Sequence, residues 1–174
     1  MTAIQHRPDR TEAAEYYFTY IDQVASDDIQ AFLESQLTET LVILNAISEE
    51  DSLRRYAPGK WSIREVVSHI NDCERLFAFR AFWFARGLPA PLPSFDQNVA
   101  TSSWNADSLS LPTHFAEFAT LRSATCMLFS NLPDEAWSRQ GVASGNPFSV
   151  RALAFIAAGH VAHHLRLLRE LYGI

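Results

Sequence analysis

His160 and His164 stand four residues apart in a long apolar run toward the end of the chain. On a helix, at about 100° per residue, both fall within the apolar stripe, one turn above the other. Both imidazoles then point inward, and their ring nitrogens can converge on one divalent ion at about 2.0 to 2.1 Å. The alternative is a pair of core histidines satisfied by backbone carbonyls. Two imidazoles do not complete a site, so a third ligand has to come from another helix. His69 is the candidate, because it flanks the apolar stripe of a second helical segment; Asp72 and Cys73, three and four residues on, are alternative ligands. Read by itself, His69 could equally be a boundary histidine bonded to water. His163 lies about 100° from His164 on the same helix and is expected to face solvent or a partner chain. His6 falls in an expected tail, and His114 is expected at the surface of a first helical turn. Three neutral imidazoles would leave a divalent ion its full charge and open positions, which suits activation of water or a thiol rather than a closed structural site.

The elements that must position these residues are helices. Four segments carry apolar residues at helical spacing, and none alternates for long enough to read as a half-buried strand. The first runs from Asp28 to Ile47, with Ile29, Phe32, Leu33, Leu37, Leu41, Leu44 and Ile47 on one face, and a shorter helical segment, Glu12 to Val24, precedes it. The second opens at Ser62, a cap answered by Glu65 three residues later, and ends at Gly87 and Pro89. Its stripe holds Ile63, Val66, Val67, Ile70, Cys73, Phe77, Ala81 and Phe84. Glu74 is expected on its surface as an ion-pair partner rather than as a base. The third runs from Ser110 to Asn131, with Leu111, Phe115, Phe118, Leu121, Thr125 and Leu128 recurring at the required spacing. The fourth opens near Asn146 and Pro147 and runs to Tyr172 before Gly173, with Val150, Leu153, Ala157, His160, Val161, His164, Leu168 and Leu171 inward.

Helices of this length with matching stripes satisfy one another by closing a bundle, so the expected class is an all-α four-helix bundle with a long connection between the second and third helices. That connection begins with Pro89, Pro91 and Pro93 and continues through Phe95, Asp96, Gln97 and Trp104. Long loops in small domains often line a site, which makes Asp96 and Gln97 candidate catalytic residues orienting water or substrate. The alternative is an Asx-type turn after the prolines. Phe77, Phe84, Phe95 and Trp104 are candidate pocket walls, although a bundle needs such aromatics in its core anyway.

At 174 residues the chain is long enough for one core and too short for two, which gives an expected tail at 1–11 and a single domain at 12–174. A net charge of -6 with no run of lysines or arginines argues against nucleic acid. No stretch reaches the ~20 apolar residues of a membrane span, and residues 1–10 lack the apolar centre of a signal peptide, so a cytoplasmic protein without membrane contact is expected. Cys73 and Cys126 lie within helical patterns and are expected to pack as free thiols.

The run Trp61-Ser62-Ile63-Arg64-Glu65-Val66-Val67-Ser68-His69-Ile70-Asn71-Asp72-Cys73-Glu74-Arg75-Leu76-Phe77, followed far downstream by Gly159-His160-Val161-Ala162-His163-His164-Leu165 and Leu168-Arg169-Glu170, resembles the DinB-like (bacillithiol transferase-like) superfamily of damage-inducible helical proteins. The resemblance covers about Tyr20 to Tyr172 and includes Phe95-Asp96-Gln97. It implies a four-helix bundle whose metal, zinc or nickel, is held by one histidine of the second helix and two of the fourth, which correspond to His69, His160 and His164. It further implies a homodimer acting on a small-molecule substrate, either as a transferase with a low-molecular-weight thiol or as a hydrolase. The competing class is a noncatalytic metal-binding stress-response or interaction module.

Overall fold

The computed structural model describes residues 6–174, so the first five residues of the expected N-terminal tail, and any reading of them, lie outside the described residues. Its helices are α1 (Phe18–Ile21), α2 (Ile29–Asn45), α3 (Ile63–Ala85), α4 (Gln97–Ser103), α5 (Leu111–Ser130) and α6 (Val150–Tyr172). Strands β1 (Gln140–Ala143) and β2 (Asn146–Ser149) form an antiparallel hairpin between α5 and α6.

Local chemistry sets the helix boundaries. Asp28 caps α2 by accepting from the Ala31 N–H, Ser110 caps α5 from Thr113, and Ser62 with Glu65 forms the reciprocal capping box expected for α3. Gly173 ends α6 in the left-handed conformation, at φ 68°, which costs a residue without Cβ little.

The four long helices form the expected bundle. α2 and α3 each pack on α5 and α6, so α2 sits diagonally from α3, and α5 from α6. Two apolar clusters fill the core. One joins Ile29 and Leu33 of α2, Cys73 to Ala85 of α3, Phe129 of α5 and Val150 to Ala158 of α6; the other joins Leu44, Ile63 to Ile70, Leu111 to Phe118 and Val161 to Tyr172. The order in which each helix meets these clusters shows that α3 and α5 run together, opposed to α2 and α6. A connection from α3 to the parallel α5 must therefore return along the whole bundle, about 30 Å for helices of this length. The long crossover at 86–110 makes that return and carries α4 with it.

Three expectations about secondary structure need correction. The segment Glu12 to Val24 is helical only in part, as a 3-10 turn at Glu15–Tyr17 and the single turn of α1. The fourth helix starts at Val150, capped by Ser149, instead of at Asn146. Residues 140–149 are the β-hairpin that an all-helical reading omitted, turning through Ser144 and Gly145, both at positive φ. Strands of four residues are too short to show alternation, and the hairpin is secured by its neighbours: Leu92 of the crossover bonds Val142 and Ser144, and the Ser149 N–H donates to Glu12 O. At the chain start, Arg7 donates to the carbonyls of Ile21 and Val24.

Between the two apolar clusters lies a buried polar layer. Arg122 of α5 is fully enclosed and donates to both oxygens of Glu74 on α3, at 2.8 and 2.9 Å, and to Gln36 Oε1 on α2 at 2.6 Å. Gln36 in turn donates to Ala158 O on α6 at 2.9 Å. One chain of hydrogen bonds thus touches all four long helices. Glu74 is accordingly a core ion-pair partner, contrary to its expected place on the surface. His114 is likewise buried rather than exposed, its Nε2 lying 3.0 Å from Ala106 O.

Candidate metal centre

The same polar layer holds the histidines. The capping box sets the phase of α3 so that His69, in its second turn, faces α6, and the four-residue spacing on α6 stacks His160 and His164 toward it. His160 Nε2 lies 3.1 Å from His69 Nε2 and 3.1 Å from His164 Nε2. Among the described residues, these three histidines alone form a group of potential metal donors with all ligand atoms within 4.8 Å of one another. The alternative ligands stand outside it: Cys73 Sγ is 3.7 Å from His69 Nε2 and packs in the core, while Asp72 pairs with Arg75 at 3.7 Å.

The donor set fits a divalent cation. An imidazole Nε2 carries either one N–H or one lone pair, so the two short contacts at His160 Nε2 cannot both be well-formed hydrogen bonds. A cation accepting all three lone pairs removes that conflict. The protonation state agrees. Burial, followed by the charge of His163, pushes His69 down to about 4. Burial and the neighbouring histidines hold His160 and His164 well below the ordinary imidazole value. All three are therefore neutral at pH 7, the form that ligates a metal.

His163 is outside this group. Its ring lies against Tyr20, and its Nδ1 is 3.4 Å from Gln23 Nε2 and from an Arg166 guanidinium nitrogen.

Two clefts flank the histidines. One, of about 410 Å³, reaches His164 between Trp61, Val66, Leu171 and Tyr172. The other, of about 230 Å³, reaches His160 between Tyr17, Tyr20, Phe77 and Phe95. Gln97 borders both. Its neighbour Asp96 is the N-cap of α4, accepting from the N–H groups of Asn98 and Val99, and so orients the turn that presents Gln97. Of the four aromatics considered as walls, Phe77 and Phe95 line the second cleft. Phe84 packs in the core against the hairpin, where a Cβ on Gly141 would overlap its ring, and Trp104 is largely exposed.

Sequence reasoning passed over Tyr20 and Arg80, both in the second cleft. Each left a signal. A Cβ at Gly159 would overlap Tyr20 O, so the glycine before His160 marks where α1 docks, and the Tyr20 ring stands 5.4 Å from the His160 ring. Arg80 occupies a position within the apolar stripe of α3, between Phe77 and Phe84.

Comparison with solved structures shows the fold. YfiT from Bacillus subtilis, described as a probable metal-dependent hydrolase with an unusual four-helix bundle topology, superposes with a TM-score of 0.70 at 15% identity, covering 96% of this chain and 91% of that one. The mycothiol-dependent maleylpyruvate isomerase superposes with a TM-score of 0.65 at 11% identity over 83% of this chain, which spans 61% of the isomerase. No curated protein matches the sequence. The model of the DinB superfamily matches residues 33–168, a span that includes all three histidines of the cluster. The chain belongs to the DinB superfamily.

Proposed function

We propose that this protein is a metal-dependent enzyme in which His69, His160 and His164 hold a divalent ion, zinc or nickel, for a hydrolase or a thiol-dependent transferase acting on a small molecule. The observation that carries the reading is the convergence of three neutral imidazole nitrogens between two clefts. A closed structural site would fill a fourth position with protein, whereas a three-nitrogen set leaves it open. The ion would supply Lewis acidity that makes water or a low-molecular-weight thiol nucleophilic near pH 7.

The chain's own residues have separate tasks. Burial keeps the three imidazoles neutral, so no imidazolium has to lose its proton before ligation. The Tyr20 ring packs edge-on against His160, and the Trp61 ring lies 5.0 Å from that of His69, so aromatic contacts restrict the rotation of both imidazoles. Gln97 offers an amide donor and acceptor to a substrate in either cleft, and Asp96 acts through Gln97 by holding the α4 turn. Which divalent ion fills the site in the cell depends on availability as much as on affinity.

A cytoplasmic homodimer is part of the same reading. No helix of the described residues is long and apolar enough to cross a membrane, and Phe79, Phe82 and Leu88 leave an exposed apolar surface at the end of α3, so light scattering should give twice the chain mass.

Elemental analysis of tag-free protein tests the centre: about one metal per chain is expected, lost in His160→Ala and kept in His163→Ala. On cobalt-substituted protein, an absorption change on adding a thiol supports the open site. No uptake after reconstitution removes the metal reading, and a bound metal indifferent to thiols and small electrophiles favours the noncatalytic module.

A further inference from the structure

Among the described residues three arginines are buried: Arg64, Arg80 and Arg122. Arg122 is paired with Glu74, and Arg64 with Glu49. Arg80 has no carboxylate within ion-pair distance among the described residues. It is 2% exposed, and its guanidinium meets neutral groups, donating to Ser144 Oγ at 2.9 Å and Pro93 O at 3.2 Å with the Tyr17 hydroxyl beside it. Its Nε is buried with no hydrogen-bond partner.

An arginine keeps its charge when buried, and an uncompensated buried charge is costly. Arg80 also lines the tyrosine-walled cleft that reaches His160. It stands eleven residues after His69, close to three turns along α3 and on nearly the same face. One cleft is therefore lined by the His160 imidazole, by a cation without a carboxylate partner, and by the rings of Tyr17, Phe77 and Phe95.

We propose that Arg80 binds the carboxylate of the substrate, a monoanionic acid with an apolar body lying against these aromatic rings. One guanidinium balances one negative charge, and its Nε–H, which has no partner, can donate to a carboxylate oxygen. A dianionic phosphate would leave a charge uncompensated in the same space. The inference rests on the metal-dependent reading only in calling the ligand a substrate; the anion site itself needs no metal.

The test titrates 3-phenylpropionate, and its neutral analogue 3-phenylpropan-1-ol, into metal-free and zinc-treated protein, following binding by calorimetry and by the arginine Nε–H signals in nitrogen-15 spectra. The acid should bind saturably and at least about tenfold more tightly than the alcohol, the worth of a charge-assisted hydrogen bond. One buried Nε–H should move downfield with it, and Arg80→Gln should remove that preference. Because Arg80→Gln also loses the contacts to Pro93 and Ser144, the shift in the unmodified protein serves as the readout that needs no variant. Equal binding of acid and alcohol, an unmoved Nε–H signal, or absence of saturable binding would overturn the proposal. Carboxylate binding in a protein that takes up no metal would refute the metal centre and leave this site standing.

Discussion

Replacing Glu74 by alanine should be among the most damaging single changes in this protein. Glu74 is 1% exposed and Arg122 is fully buried, so water cannot replace the lost carboxylate without opening the bundle. Of the three bonds that Arg122 makes here, only the one to Gln36 Oε1 remains. Breaking a buried pair from one side costs about 3–5 kcal/mol, because it leaves a charge without a partner. At about 2–4 °C per kcal/mol for a chain of this size, the melting midpoint should fall by about 6–20 °C. Urea unfolding with an unchanged slope would assign the loss to the native state. The double variant Glu74→Leu/Arg122→Met removes both charges and should recover much of the loss. As a control, Arg166→Ala, which breaks an exposed pair with Glu170, should cost less than about 1 kcal/mol. A Glu74→Ala loss below about 1 kcal/mol, or a double variant worse than the single, would refute the idea that this pair compensates a buried charge.

Gly159→Ala should destabilise by about 1–3 kcal/mol despite alanine's better helix propensity, because the new Cβ would overlap the Tyr20 carbonyl oxygen and α1 would have to move; thermal melts and Tyr20-region amide exchange check this. Glu12 gives a pH dependence. Burial raises its pKa, but hydrogen bonds from Arg151, Ser149 and the Asp9 N–H outweigh that and leave it below the ordinary value of 4.5. Its stabilisation is therefore complete above the unfolded value and lost as pH falls through the folded one, so Glu12→Gln should flatten the acid limb of a stability profile below about pH 4.5. An acid limb identical to that of the native chain would contradict this.

The helices of the bundle were legible because each is specified locally. Ser62 and Glu65 cap α3 from within four residues, Gly173 ends α6, and the spacing of His160 and His164 puts both rings on one face whatever lies opposite. The inward placement of two of the three histidines is thus a property of a single helix. That His69 meets them, while Cys73 and Asp72 do not, is a matter of how α3 sits against α6, and periodicity alone left those alternatives open.

Polar residues at core positions were the hardest to read. In α5 the buried face runs through His114, Phe118, Arg122 and Phe129, whereas an apolar template chose Leu121 and Leu128 beside them. Arg122 can be inward only because Glu74 and Gln36 arrive from two other helices, and no window of one helix contains that information. The hairpin is similar: its four-residue strands hold through Leu92 and Glu12, distant in sequence. The sequence by itself determined the four long helices, the Ser62 capping box, the Gly173 stop and the inward pair His160 and His164, since the interactions involved span at most a few residues. The tertiary structure decided the third histidine, the buried Glu74–Arg122 pair and the unpaired Arg80, because the burial of a charge and its compensation depend on which chains of atoms meet across the core.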